Sequence, residues 1–329
     1  MKMFIAPMAC LALYAQESKT WQDPSNHRVQ FVTVEEGVQL EVLDWGGTGR
    51  PVVLLAGYLT AHAYDEFAPK LAESYHVYGI TRRGFGASSR PESGYTAQRS
   101  ANDVLQVLDA LKLVKPVLAG HSFGGQDLST LGGQHPERIG GLVYLNSAED
   151  PTLSLADYGV KPADGSKLPA AMRESPSPDF SSYPAYRAWQ LRVHGVAFPE
   201  SELRQMYAAN PDGSMGRYLV SRNVRDDMFA GIRKPNYASI SVPVLAFLVL
   251  PRPVEEQVKR FGPQNDEERA ALEQRYAVDV AIARRHERDL RSGVPTARVV
   301  ELPGANFYVF LSSGTVLVRE MRTFIAGLR

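Results

Sequence analysis

Ser122 stands at the centre of the run Gly120-His121-Ser122-Phe123-Gly124-Gly125, between an apolar stretch at 116–119 and a helix-like stretch at 126–132. A strand, a G-x-S-x-G pattern and a helix in that order predict a nucleophile elbow. A serine exposed on so sharp a turn needs glycines beside it, because neighbouring Cβ atoms do not fit. The helix that follows points its N-terminal amides at the same place, where a developing oxyanion would sit. The chemistry is nucleophilic attack by the serine oxygen, provided that a neighbouring base takes its proton. The same residues also read as a plain glycine-rich turn around a buried serine. The flanking strand and helix favour the elbow.

The elements that must position this serine are readable from apolar periodicity. Residues 28–33 and 38–43 alternate as a hairpin around Glu36-Gly37, and 51–57 is a continuous apolar run of the kind found in central parallel strands. Further strands are expected at 76–80, 141–145, 242–250 and 297–302. Helices are expected from about His62 to Glu73, then at 96–113, 266–291 and 315–328. Val104, Leu105, Leu108 and Leu111 share one face of the second, and Leu317, Met321, Phe324 and Leu328 one face of the last. Strands alternating with helices mean an α/β fold with a mostly parallel, doubly wound sheet. From 151 to 239 that rhythm stops and Pro, Ser and aromatic residues dominate, among them Tyr158, Tyr183, Tyr186, Trp189, Tyr207 and Tyr218. This segment reads as an inserted helical cap, leaving 28–150 and 240–329 as the core.

Bulk composition narrows the partners. Lys plus Arg and Asp plus Glu are 36 each, so the net charge is zero and nothing points to nucleic acid or acidic lipid. No apolar run reaches 18 residues, so no membrane span is expected. Residues 1–15 have the charged start and apolar middle of a secretory leader, which favours export over a cytoplasmic location. Cys10 is the single cysteine, so disulfides are not expected. No His/Cys/Asp cluster with metal-ligand spacing, phosphate loop or dinucleotide fingerprint is evident, so neither metal nor cofactor is expected.

Five pieces in this order resemble the α/β-hydrolase superfamily, in its cap-bearing, serine-nucleophile, esterase-like branch. They are Leu54-Leu55-Ala56-Gly57, Arg82-Arg83-Gly84-Phe85-Gly86-Ala87-Ser88, the elbow, His135-Pro136-Glu137-Arg138 and Leu302-Pro303-Gly304-Ala305-Asn306. The resemblance covers the chain from about Arg28 onward, with little signal in the cap. It implies an α/β-hydrolase fold, Ser122 as nucleophile, and an oxyanion hole made by the amides of Tyr58 and Phe123. It also implies a histidine in the loop after the last strand and an acid at the end of either of two earlier ones; after Leu250 the run Pro251-Arg252-Pro253-Val254-Glu255-Glu256 has no aspartate, which leaves the position after Leu145. Those positions hold Phe307 and Asn146, and no histidine follows His286.

A phenyl ring cannot accept the serine proton. Losing the base typically costs about 10⁶-fold in kcat, while an oxyanion hole and binding can leave roughly 10³-fold over water. Two histidines, His62 on the first helix and His194 in the cap, are candidate substitute bases. His121 is expected to pack beside the sheet. Glu149, Asp150, Glu255 and Glu256 read as solvated loop charges, and Arg82 and Arg83 as structural brackets of their turn. The functional expectation is therefore an esterase-like hydrolase of small apolar acyl substrates, weak or inactive because its triad is incomplete. The alternatives are a hydrolase-fold protein that binds a small-molecule ligand without turning it over, or an inactivated variant of an active hydrolase.

Overall fold

The computed structural model describes residues 21–328; the expected leader at 1–15 and Cys10 lie outside them. The aliphatic and β-branched runs form ten strands. They are β1 (Arg28–Glu35), β2 (Val38–Gly46), β3 (Pro51–Leu55), β4 (His76–Ile80), β5 (Val117–His121), β6 (Gly141–Leu145), β7 (Tyr207–Ala209), β8 (Met215–Tyr218), β9 (Val244–Leu250) and β10 (Arg298–Pro303). Eight of them make one sheet in the order β1-β2-β4-β3-β5-β6-β9-β10. β2 runs antiparallel to both β1 and β4, and all other neighbours are parallel. The sheet is thus the mostly parallel, doubly wound one that the alternation of elements requires.

The period-two geometry of each strand sends alternate side chains to two separate cores. Val53, Leu55, Leu118 and Tyr144 face one layer, against Val104, Val107 and Leu108 of the helix Ala97–Ala110 and Leu128 of the helix Gly124–Gln134. Val52, Leu54, Val143 and Leu145 face the other, with Phe67, Phe310, Leu317 and Met321. At about 1.5–3 kcal/mol for each fully buried large side chain, these two layers dominate the stabilisation. β5 and β6 are buried at every position, which places the end of β5 in the middle of the molecule.

Three local expectations are revised. The helix expected from about His62 to Glu73 is two pieces, a 3-10 turn Ala61–Tyr64 and a short helix Ala68–Ala72. Thr60 caps the first through its side chain, and Pro69 near the start of the second favours a fresh helix there. Residues read as a loop after Pro253 form the helix Val254–Phe261. The inserted segment carries the short helices Ala170–Arg173, Tyr183–His194, Glu200–Met206 and Arg222–Ala230, and also the antiparallel pair β7–β8, which the loss of strand rhythm did not suggest.

The two arginines after β4 bracket their turn. Arg82 donates to the Ala56 carbonyl at 3.1 Å and to Asp127 at 2.8 Å. Arg83 grips Asp103 through two bonds, at 2.7 and 2.8 Å, and Glu35 at 2.9 Å.

Candidate active site

β5 ends at His121, and the helix Gly124–Gln134 begins three residues later. Between them Ser122 adopts φ +53°, a left-handed conformation that costs a non-glycine residue on the order of 1–3 kcal/mol. Two glycines make room for it. A Cβ on Gly57 would lie 2.5 Å from the Ser122 Cβ and 3.0 Å from the Phe123 nitrogen. A Cβ on Gly125 would lie 2.1 Å from the Ser147 carbonyl oxygen. The strained serine is therefore held from both sides by backbone that only glycine can approach.

Phe123 follows Ser122 and Tyr58 follows Gly57, the glycine packed against Ser122, and neither of their amides donates to another group among the described residues. Their side chains line different cavities. Ser122 and Phe123 border a cavity of about 190 Å³ completed by Gln126, Ser147, Glu149 and Phe229. Tyr58 borders a larger one of about 480 Å³, walled by Tyr186, Tyr207, Tyr218 and Tyr308 and by His194. The loop that carries Tyr58 is gripped from the inserted segment. Glu202 accepts from the Thr60 amide at 3.1 Å and from the Thr60 hydroxyl. Burial pushes the Glu202 carboxyl up to about 7, against the pull of these two donors. Nothing in the local sequence singles Glu202 out, because its role depends on where the inserted helix lands.

The two substituted positions sit close to the elbow. The Phe307 ring packs edge-on against the His121 imidazole, with centroids 4.6 Å apart, and is 43% exposed. Asn146 also takes a positive φ of +54°; its Oδ1 accepts from the Val249 amide at 2.9 Å, binding the end of β6 to β9. His121 itself is buried among Phe307, Tyr308 and Phe310 and donates from Nε2 to the Phe307 carbonyl at 3.2 Å. Burial pushes its pKa down to about 4, so it is neutral.

His194 lines the larger cavity with Tyr58, its ring against Trp189. His62 does not serve as a substitute base. Its ring is buried against Asp23, Asp65 and Glu41, and hydrogen bonds to these carboxylates push its pKa up to about 12 against the cost of burial. An imidazole held protonated accepts no proton from serine. His62 follows Thr60 on the segment after Tyr58, and its ring nitrogens face these carboxylates.

Glu149 and Asp150 are not solvated charges either. Asp150 is buried and accepts from the amide and hydroxyl of Thr152 at 3.0 and 2.6 Å. Glu149 lines the cavity of Ser122, and burial raises its pKa.

A model of the alpha/beta hydrolase fold family matches residues 50–222, just over half of the chain. The chain belongs to the α/β-hydrolase fold family. The AB hydrolase superfamily protein YisY of Bacillus subtilis is 37% identical over 141 residues, covering 41% of this chain and 52% of that one. A non-heme chloroperoxidase of Streptomyces lividans is 34% identical over 130 residues, covering 38% and 47%. This α/β hydrolase thus spans about half the length of the curated relatives it matches. Among solved structures, an E-2-(acetamidomethylene)succinate hydrolase superposes over 92% of this chain and all of its own with a TM-score of 0.63, at 20% identity. The esterase RhEst1 from Rhodococcus sp. ECU1013 superposes over 92% and 99% with a TM-score of 0.60, at 19% identity. These likenesses carry the fold.

Chemically, this member of the family combines a strained serine, two uncommitted backbone amides and an adjacent cavity. It has a phenyl ring where the resemblance implies the imidazole.

Proposed function

We propose that the protein is an esterase-like hydrolase of small apolar acyl substrates acting through Ser122, with turnover held low by the missing imidazole. The observation that carries this reading is Ser122 at φ +53° between the free amides of Tyr58 and Phe123, opening on a cavity of about 190 Å³. A cavity of that size suits a short acyl group, with residues 151–239 acting as a cap. The larger tyrosine-walled cavity beside Tyr58 suits the alcohol portion.

The proton acceptor in this scheme is Glu149, the carboxyl group that shares the serine's cavity. The Ser122 oxygen attacks the ester carbonyl carbon as its proton passes to the Glu149 carboxylate, and the carbonyl oxygen becomes an oxyanion bound by the two amides. The intermediate collapses, the carbon–oxygen bond to the alcohol breaks, and the alkoxide takes the proton back from Glu149. Water then attacks the acyl-enzyme by the same route and releases the acid. A carboxylate is a weaker base than an imidazole for this step, even with its pKa raised by burial, which accounts for slow turnover. Membership of the alpha/beta hydrolase fold family supports the reaction class.

The test is hydrolysis of p-nitrophenyl acetate and butyrate by the wild type and Ser122→Ala, with mass spectrometry for acylated Ser122. The proposal expects slow turnover that Ser122→Ala abolishes, with an acyl adduct on Ser122. Equal rates in both proteins and no adduct would instead support a ligand-binding protein, with Phe307 as apolar wall.

A further inference from the structure

We propose that Asp23, His27, His62 and Asp65 form a site for one divalent transition-metal ion of the zinc class. These residues come from two short pairs, Asp23 with His27 and His62 with Asp65, which the fold brings together. One ligand atom from each lies within 4.8 Å of those of the other three. His62 Nδ1 is 3.3 Å from Asp65 Oδ2 and 3.5 Å from Asp23 Oδ2, and His27 Nε2 is 3.8 Å from Asp23 Oδ2. Four ligands at zinc-like bond lengths around a tetrahedral ion stand about 3.4 Å apart, close to these three separations.

The groups around the four ligands favour the same reading. In metal centres each histidine usually donates its outer ring N–H to a carboxylate or carbonyl, which fixes the tautomer and aims the inner nitrogen at the ion. Both histidines here have that arrangement. His27 Nδ1 is 2.9 Å from Asp65 Oδ1, and His62 Nε2 is 3.3 Å from Glu41 Oε1. Glu41 is fixed in turn by the Thr81 hydroxyl at 2.8 Å. Asp65 is held by Trp45 Nε1 at 3.1 Å and by the Ser201 hydroxyl at 2.6 Å, and the Ser25 amide holds the second oxygen of Asp23 at 2.9 Å. Binding the ion displaces the His62 proton, and the resulting two carboxylates and two neutral imidazoles balance its double charge, which offsets the cost of burying it. Imidazole nitrogens with carboxylate oxygens and no thiolate select zinc and its neighbours over calcium or magnesium. Asp23, with a side chain 27% exposed, supplies the entry path.

Such an ion would be structural. It would tie residues 23–27 to the 3-10 turn Ala61–Tyr64, which starts next to Thr60, and through Asp65 to Ser201 on the inserted helix.

The test uses untagged full-length protein, stripped with a chelator and dialysed. Zn²⁺ is titrated by calorimetry and Co²⁺ by its visible ligand-field absorption. One ion per chain is expected, with the intense absorption of four-coordinate Co²⁺ and a higher melting temperature with Zn²⁺. Glu41→Gln should weaken binding about 10–100-fold, and Asp23→Ala and His27→Ala by at least ~10-fold. Asp23 is exposed enough for its variant to keep the fold, which circular dichroism checks. Ser122→Ala should bind as the wild type does. Absence of saturable binding by the wild type would overturn the proposal. So would unchanged affinity in both Asp23→Ala and His27→Ala.

Discussion

His121 and Phe307 are joined twice: their rings meet edge-on at 4.6 Å, and His121 Nε2 donates to the Phe307 carbonyl at 3.2 Å. The contact brings residue 307 against the residue that immediately precedes Ser122. A side chain at 307 is therefore within the neighbourhood of the nucleophile, so its identity bears on the serine's proton. It also leaves His121 Nδ1 buried with no partner among the described residues.

That buried imidazole makes acid sensitivity testable. Its folded pKa is near 4 because burial penalises the charged form, against an ordinary value of 6.5. Below about pH 6.5 the unfolded chain binds a proton that the folded chain refuses. The stabilising contribution is thus full above 6.5 and lost as pH falls toward 4, with an upper bound of about 3 kcal/mol. His121→Gln should lose less stability between pH 7 and 4.5 than the wild type does, by roughly 1–3 kcal/mol in urea denaturation. Parallel losses in the two proteins would show that His121 is not the group responsible.

Glu149 as the proton acceptor predicts a particular pH profile. Ester hydrolysis should rise with pH through an apparent pKa above 4.5, because burial raises this carboxyl and only its ionised form accepts the proton. Glu149→Gln should lower kcat by about 10²-fold or more and remove that rise, consistent with loss of a general base. Glu149→Asp should retain the profile at a lower rate. An unchanged profile in Glu149→Gln would assign the proton elsewhere.

The two glycines around the elbow should differ in what their loss does. Gly125→Ala drives a methyl group into a backbone carbonyl and should destabilise the protein by about 1–3 kcal/mol. Gly57→Ala meets the Ser122 Cβ and the Phe123 amide, so it should also reduce acylation of Ser122 in the protein that remains folded. Acylation kinetics beside thermal melts separate the two effects.

Asp103 anchors the turn after β4 through its two bonds to Arg83, with both side chains nearly excluded from water. Asp103→Ala leaves a buried guanidinium with Glu35 alone and should cost about 3–5 kcal/mol, read by chemical denaturation.

Local signals carried most of what the sequence disclosed. Continuous apolar runs such as 116–119 and Gly141–Leu145 escape water on both faces only by lying inside a sheet, so the parallel core was legible. The elbow was legible because Gly120, Gly124 and Gly125 surround Ser122 between a strand-like and a helix-like stretch, whereas the approach of Gly57 to Ser122 depends on the fold. Helix Val254–Phe261 was missed although Val254, Val258 and Phe261 share one face, because it is only two turns long and starts from Pro253, which also reads as a loop. His62, Glu149 and Glu202 were beyond local reasoning for one reason: their roles depend on which distant carboxylates, hydroxyls or cavities they meet. The pairing of Asp23 and His27 with His62 and Asp65 left a faint trace, two acid–histidine pairs at spacings of four and three. Only the fold brings the pairs together.

The central claim is that Ser122 sits in a hydrolase site limited by the residues at 307 and 146. The most direct measurement is p-nitrophenyl butyrate hydrolysis by Phe307→His combined with Asn146→Asp, beside the wild type and the same double variant carrying Ser122→Ala. The account predicts a gain in kcat of at least about 10²-fold, lost when Ser122 is removed, because an imidazole at 307 then takes the serine proton and a carboxylate at 146 stabilises the imidazolium. A folded double variant with no serine-dependent gain would contradict it.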